Sequence, residues 1–203
     1  MLSSSLDSRL ARTESMLRGN FSAREKRVLG RALDALGEEN IDRLVDGGIT
    51  VKLRGAFESE AGTYTAMYVP DKKMMVMSSS RMDKETLVHE FGHALDDLAA
   101  PDVDGKAVLK SHQDTELAQL HQEYKERVDA LPWYNKLFEC GGGLWSDYAT
   151  TNPQEYLAEG VRLYASSERS KEKLLRDDPK LAQYVEEFLH PETDSELGML
   201  MVA

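Results

Sequence analysis

The sequence predicts an α+β domain dominated by helices, with a small sheet. Three observations carry that expectation. Apolar residues recur at helical spacing over most of the chain, and the period switches to two only between about residues 49 and 78. Serine, aspartate or asparagine stands where most helical stretches begin. The 203 residues are 41% hydrophobic and 30% charged, a balance that supports a packed core. No repeat, linker or composition break divides them. A single domain over 1–203 is therefore expected, with a helical part at 1–48, a sheet and motif helix at 49–98, and a second helical part at 99–203.

Leu6, Leu10, Thr13 and Leu17 predict a first amphipathic helix ending near Gly19. Ser22 with Glu25 forms a capping box for a second, whose face is Val28, Leu29, Ala32, Leu33 and Leu36, with Gly37 as the stop. Ile41, Leu44 and Val45 mark a short third helix closed by Gly47-Gly48. Ile49, Val51 and Leu53 alternate with Lys52 and Arg54, the pattern of a half-buried strand. Residues 63–69 and 73–78 predict an antiparallel hairpin turned at Pro70-Asp71-Lys72. Met74, Met75 and Met77 in its second strand have two readings, as core-facing residues or as an edge strand lining a groove.

Ser80 with Asp83 predicts a helix over 81–98, and Leu117, Leu120, Tyr124, Val128 and Leu131 predict another that ends at Pro132. Glu139-Cys140-Gly141-Gly142-Gly143 is expected to be the most flexible stretch. Asn152-Pro153 and Asp178-Pro179 each place a cap before a proline at the first helical position, opening helices to about Ser166 and His190.

The net charge of −11 argues against a nucleic-acid or anionic-membrane partner, both of which need a basic face. A single cysteine, Cys140, excludes an intramolecular disulfide and a cysteine-based zinc finger. No apolar run reaches the ~18–20 residues of a membrane span. Residues 1–20 are polar and lack the apolar core of a secretory signal, so the expected location is the cytoplasm, or outside the cell by a non-classical route.

His89-Glu90-Phe91-Gly92-His93 lies inside the helix predicted over 81–98. Two histidines four apart share one helical face, so both imidazoles can reach one ion, with Glu90 beside them to reach a bound water. This is the zinc-hydrolase arrangement, in which the ion lowers the pKa of its water towards ~7 and a carboxylate takes the proton. A catalytic zinc needs a third protein ligand. His112 and His121 have the spacing of ordinary polar positions on the following helix, and His190 that of a helix C-terminus. A carboxylate is then required, and Glu155 with Glu159, four apart on one helix, can supply one ligand and one support for a histidine. A solvated acidic stripe would have the same spacing.

The run His89 to Asp97, with Tyr148, the segment Asn152 to Glu159 and Arg162-Leu163, resembles the catalytic domain of anthrax lethal factor and the related Pro-Pro endopeptidases. The resemblance covers most of residues 62–189. It implies a zincin-like metallopeptidase fold with a small mixed sheet, an edge strand along the groove, and one bound Zn2+. It further implies His89, His93 and Glu155 as zinc ligands, Glu90 as general base and Tyr148 as the phenol that donates to the oxyanion. Without it, Tyr148 would be read as a core aromatic. Glu159 and Asp97 become supporting residues around the ligands, while Asp96 and Asp97 alike can back the histidines or cap the helix. A substrate peptide is expected to pair with Met74, Met75, Val76 and Met77. The implied activity is zinc metalloendopeptidase hydrolysis of a peptide or protein substrate, in a toxin or effector role. The alternatives are a non-catalytic zinc-binding scaffold or delivery module, and a zinc hydrolase acting on another amide.

Overall fold

Local capping decides where most helices of this chain begin. The computed structural model describes residues 13–54, 57–59, 62–64, 66–100, 102–103, 106–131 and 147–191. They fall into two compact units, Met1–Lys110 and Ser111–Ala203. The Cys140 and triple-glycine segment, with Leu6 and Leu10, lies outside the described residues.

In the first unit, residues 13–16 form a helical turn, but Leu17 leaves it to begin β1 (Leu17–Arg18). β1 pairs in parallel with β2 (Thr50–Arg54), in register Leu17 to Val51. The helix expected to run to Gly19 thus stops early, because a distant strand captures its last residues. Ser22 and Glu25 make the reciprocal capping box of α1 (Ala23–Leu36), with Ser22 N donating to Glu25 Oε2 at 2.6 Å. Val28, Leu29, Ala32, Leu33 and Leu36 are all buried, as the spacing predicted. α2 (Glu38–Asp46) follows, and Gly48, at φ +74°, makes the turn into β2.

The hairpin strand expected over 63–69 is split. Its first part joins a separate ladder of β3 (Phe57–Ser59) and β4 (Gly62–Tyr64). Its second part is β5 (Ala66–Val69), antiparallel to β6 (Met74–Ser78) across a 3₁₀ turn at Pro70–Lys72. The main sheet is mixed and runs β1-β2-β6-β5. β6 is therefore an interior strand, parallel to β2 on one side and antiparallel to β5 on the other. Met74, Met75, Val76 and Met77 therefore do not form the expected edge strand. Met75, Val76 and Met77 are consecutive and all buried, the mark of a strand covered on both faces. The edge strand is β5, where Met67 is exposed.

α3 (Lys84–Leu98) packs on β5 and against α1 and α2. Its cap is Asp83, which accepts from Thr86 N at 2.8 Å, and the expected cap Ser80 sits instead in a preceding 3₁₀ turn, Ser79–Arg81. A two-residue ladder, β7 (Asp102–Val103) with β8 (Lys106–Ala107), and the short α4 (Lys110–Gln113) follow.

The second unit is built around α6 (Pro153–Ser166), on which pack α5 (Thr115–Ala130), a 3₁₀ turn at Asp147–Thr150, α7 (Glu168–Asp177) and α8 (Pro179–Leu189). α6 and α8 start at the predicted caps: Asn152 Oδ1 accepts from Glu155 N at 2.9 Å, and Asp178 Oδ1 from Leu181 N at 3.3 Å. α7, which no apolar spacing in the sequence predicted, buries only Leu174 and is capped by Ser167.

Candidate functional site

α3 is apolar on most of its surface, and Leu87, Val88, Phe91, Ala94 and Leu95 are fully buried. Burying each of the larger ones contributes roughly 1.5–3 kcal/mol. Into the same helix the sequence sets Glu90, His93, Asp96 and Asp97, which are also buried, with His89 half-buried. Ionisable groups inside a core helix cost free energy unless each has a partner or a task.

His89 and His93 converge. Their Nε2 atoms lie 3.1 Å apart, with ring centroids at 4.8 Å and planes at 85°. Two nitrogens of a tetrahedral zinc site, each about 2.05 Å from the ion, stand about 3.3 Å apart. The pair therefore fits the spacing of adjacent ligands to one ion. Glu90 is the next residue along the same turn. Among the described residues, His89, His93 and Glu155 form a group of side chains able to hold a metal ion.

One turn beyond His93, Asp97 accepts from the Tyr68 hydroxyl at 2.7 Å, while its Oδ1 is buried with no hydrogen-bond partner. Burial, followed by the Asp97 contact, pushes the Tyr68 phenol well above its ordinary pKa and keeps it a donor. Tyr68 stands on the edge strand β5, so this bond ties that edge to the motif helix. Nothing in the local sequence around Tyr68 signals it.

In the second unit, the Asn152 cap sets Glu155 in the first turn of α6, half-buried. Glu159, one turn on, is buried and held by Arg162, whose Nη2 donates to Oε2 at 2.7 Å. Tyr148 projects from the 3₁₀ turn with 62% of its surface exposed, so it is not the core aromatic that the residues alone indicated. His121 departs from expectation the other way. It is buried on α5, packed on Tyr156 at a centroid distance of 5.6 Å. The signal was present, since His121 follows Leu117 and Leu120 and precedes Tyr124 at core spacing. His112 is exposed, and His190 is the C-cap of α8 as expected.

A mixed sheet backed by a helix that carries His-Glu-x-x-His, joined to a helical unit with an acidic motif helix, defines a zincin-like domain. The chain is similar to lethal factor of Bacillus anthracis, at 29% identity over 126 residues, and to the solved structure of the Pro-Pro endopeptidase from Paenibacillus alvei. The first match covers 59% of this chain but only 14% of lethal factor's length. The second has a TM-score of 0.59 at 16% identity, covers 87% of this chain and 98% of that one, and shows the fold. No family model matches. The resemblance to lethal factor and the Pro-Pro endopeptidases thus stands, in sequence with the first and in fold with the second.

Proposed function

We propose that the chain is a zinc-dependent endopeptidase of the lethal-factor and Pro-Pro endopeptidase type, with His89, His93 and Glu155 as ligands. The observation that carries this reading is the imidazole pair, 3.1 Å apart on a buried helix, with the Glu90 carboxylate on the adjoining residue. The donor set of two imidazoles and one carboxylate is the chemistry of a catalytic zinc site. The Pro-Pro endopeptidase that shares the fold supports a peptide bond as the bond cleaved. Similarity to lethal factor alone supports an effector or toxin role.

The ion, when bound, supplies an acidified water and a polarised carbonyl. Glu90 takes a proton from the attacking water as its oxygen adds to the scissile carbonyl carbon. It then gives that proton to the amine nitrogen as the C–N bond breaks. Tyr148 donates a hydrogen bond to the developing oxyanion, worth ~2.7–4 kcal/mol of barrier in comparable sites. The substrate strand is assigned to the outer edge of β5, in place of the strand first expected, because β5 is the edge of the main sheet. Main-chain hydrogen bonds there would align a peptide alongside α3, which packs on β5.

The test is cleavage of a diverse peptide library, including proline-rich members, by wild type and Glu90→Ala, read by mass spectrometry beside zinc content. Glu90→Ala is expected to lower turnover by about 10²–10⁴-fold while keeping one zinc per chain. Wild-type rates in that variant would overturn the mechanism. Zinc bound by both proteins with no cuts by either would make the chain a binding module.

A further inference from the structure

Met67 stands on the edge strand β5 with 41% of its surface exposed, while Ala66 and Tyr68 on either side of it are buried. We propose that Met67 is a specificity-determining residue, which takes a large apolar side chain of the substrate peptide at one position near the cut. This assignment rests on β5 being the substrate strand. The chemistry that β5 offers to the peptide is a separate claim.

Successive side chains of a strand point to opposite faces of the sheet. Tyr68 reaches to Asp97 on α3, its hydroxyl donating at 2.7 Å, so Met67 points to the face away from α3. Its neighbours there follow from the register. Met67 is opposite Val76 on β6, and Val76 is opposite Lys52 on β2, which sets the three in one row across the sheet. The next row on that face is Val69, Met74 and Thr50. Val76 is buried, and Val69 and Met74 are half-buried. At the β5 margin this face is therefore apolar, and Lys52 lies two strands inward. An isolated exposed apolar side chain needs no explanation, but Met67 continues an apolar row out to the edge assigned to the substrate.

A peptide added to the outer edge of β5 would lie about 4.7–4.9 Å from it. Directly opposite residues of paired strands share a face whichever way the added strand runs, and in an antiparallel pair their Cβ atoms are about 4.5–5.5 Å apart. One peptide residue therefore sets its side chain against Met67. The residues before and after it turn to the face that α3 covers. The Met67 thioether is flexible and polarisable, so it accommodates leucine, methionine or an aromatic ring alike. A charged side chain there would give up water for methylene and sulfur.

The test is the cut-site profile of the full chain on a diverse peptide library, with relative kcat/KM at each position read by mass spectrometry. Wild type is expected to favour large apolar over acidic residues about fivefold at one position. In Met67→Glu that preference is expected to vanish and lysine and arginine to gain about fivefold there, with the other positions unchanged. Met67→Thr, a substitution that suits a strand, is expected to lose the apolar preference without gaining a basic one. Lys52→Glu makes a larger change of charge on the same face, three strand spacings or about 14 Å from the peptide. That is beyond the screening length of about 8 Å at physiological salt, so its profile is expected to match wild type. Profiles of Met67→Glu and Met67→Thr equal to wild type would overturn the proposal and leave the peptidase reading standing. A shift of the same kind in Lys52→Glu would also overturn it, since the effect would then be one of overall charge. Loss of all cutting in both Met67 variants, at unchanged melting midpoints, would overturn the single-position claim. No cuts by wild type would remove the peptidase reading itself, and this assignment with it.

Discussion

The Tyr68–Asp97 bond shows how a single contact links the sheet edge to the motif helix. Asp97 is 8% exposed and has one oxygen with no partner, so the Tyr68 hydroxyl is the side-chain donor satisfying the other. Tyr68→Phe keeps the ring's packing and removes that donor, leaving a carboxylate more poorly paired inside the unit. The expected cost is about 1–3 kcal/mol, read as a lower urea midpoint at unchanged slope. A change within about 0.5 kcal/mol, the range of an ordinary surface substitution, would mean that the bond contributes nothing to stability. The same residue marks a limit of sequence reading. His89, Glu90 and His93 were legible because a four-residue spacing on a helix is local geometry. Tyr68 was not, because its partner lies 29 residues away on another element.

Elements whose signals are local were read well, and those set by distant partners were not. Ser22 with Glu25, Asn152-Pro153 and Asp178-Pro179 each satisfy backbone donors within a few residues, and each opened its helix where predicted. Sheet order depends on which strands meet. The methionine strand accordingly looked like a hairpin edge, until parallel pairing with β2 placed it inside the sheet. α7 escaped because so little of it faces the core. Helix contact also sets a test at this scale. A Cβ at Gly160 on α6 would stand 2.9 Å from Val185 Cγ2 and 3.0 Å from Leu181 Cδ2 on α8. Gly160→Ala gains up to ~1 kcal/mol of helix propensity but forces α8 outward at a cost of about 1–3 kcal/mol, so net destabilisation is expected. Gly30→Ala on α1 meets nothing within 4 Å and is expected to stabilise by about 0.5–1 kcal/mol. Chemical denaturation of the two variants side by side reads the contrast, and a more stable Gly160→Ala would deny the close approach of α6 and α8.

For the whole molecule, the proposed ligands come from α3 and α6, elements of different units, so zinc binding is expected to be linked to the folding of both. Zinc that binds only the folded chain stabilises it by mass action, about 2.7 kcal/mol at a free concentration one hundred times the dissociation constant. For a chain of this size each kcal/mol moves the melting midpoint by about 2–4 °C, so saturating zinc is expected to raise it by about 5–10 °C over chelator-treated protein. The variants separate a ligand from a base. His93→Ala and Glu155→Gln are expected to lose most of the shift, because each removes a proposed donor. Glu90→Ala is expected to keep it, because the general base binds water and not the ion. Thermal melts of all four proteins, with and without zinc, decide this without reference to any substrate. An undiminished shift in Glu155→Gln would take the third ligand away from α6. An undiminished shift in His93→Ala would place the stabilising zinc elsewhere on an acidic chain that carries 36 aspartate and glutamate residues.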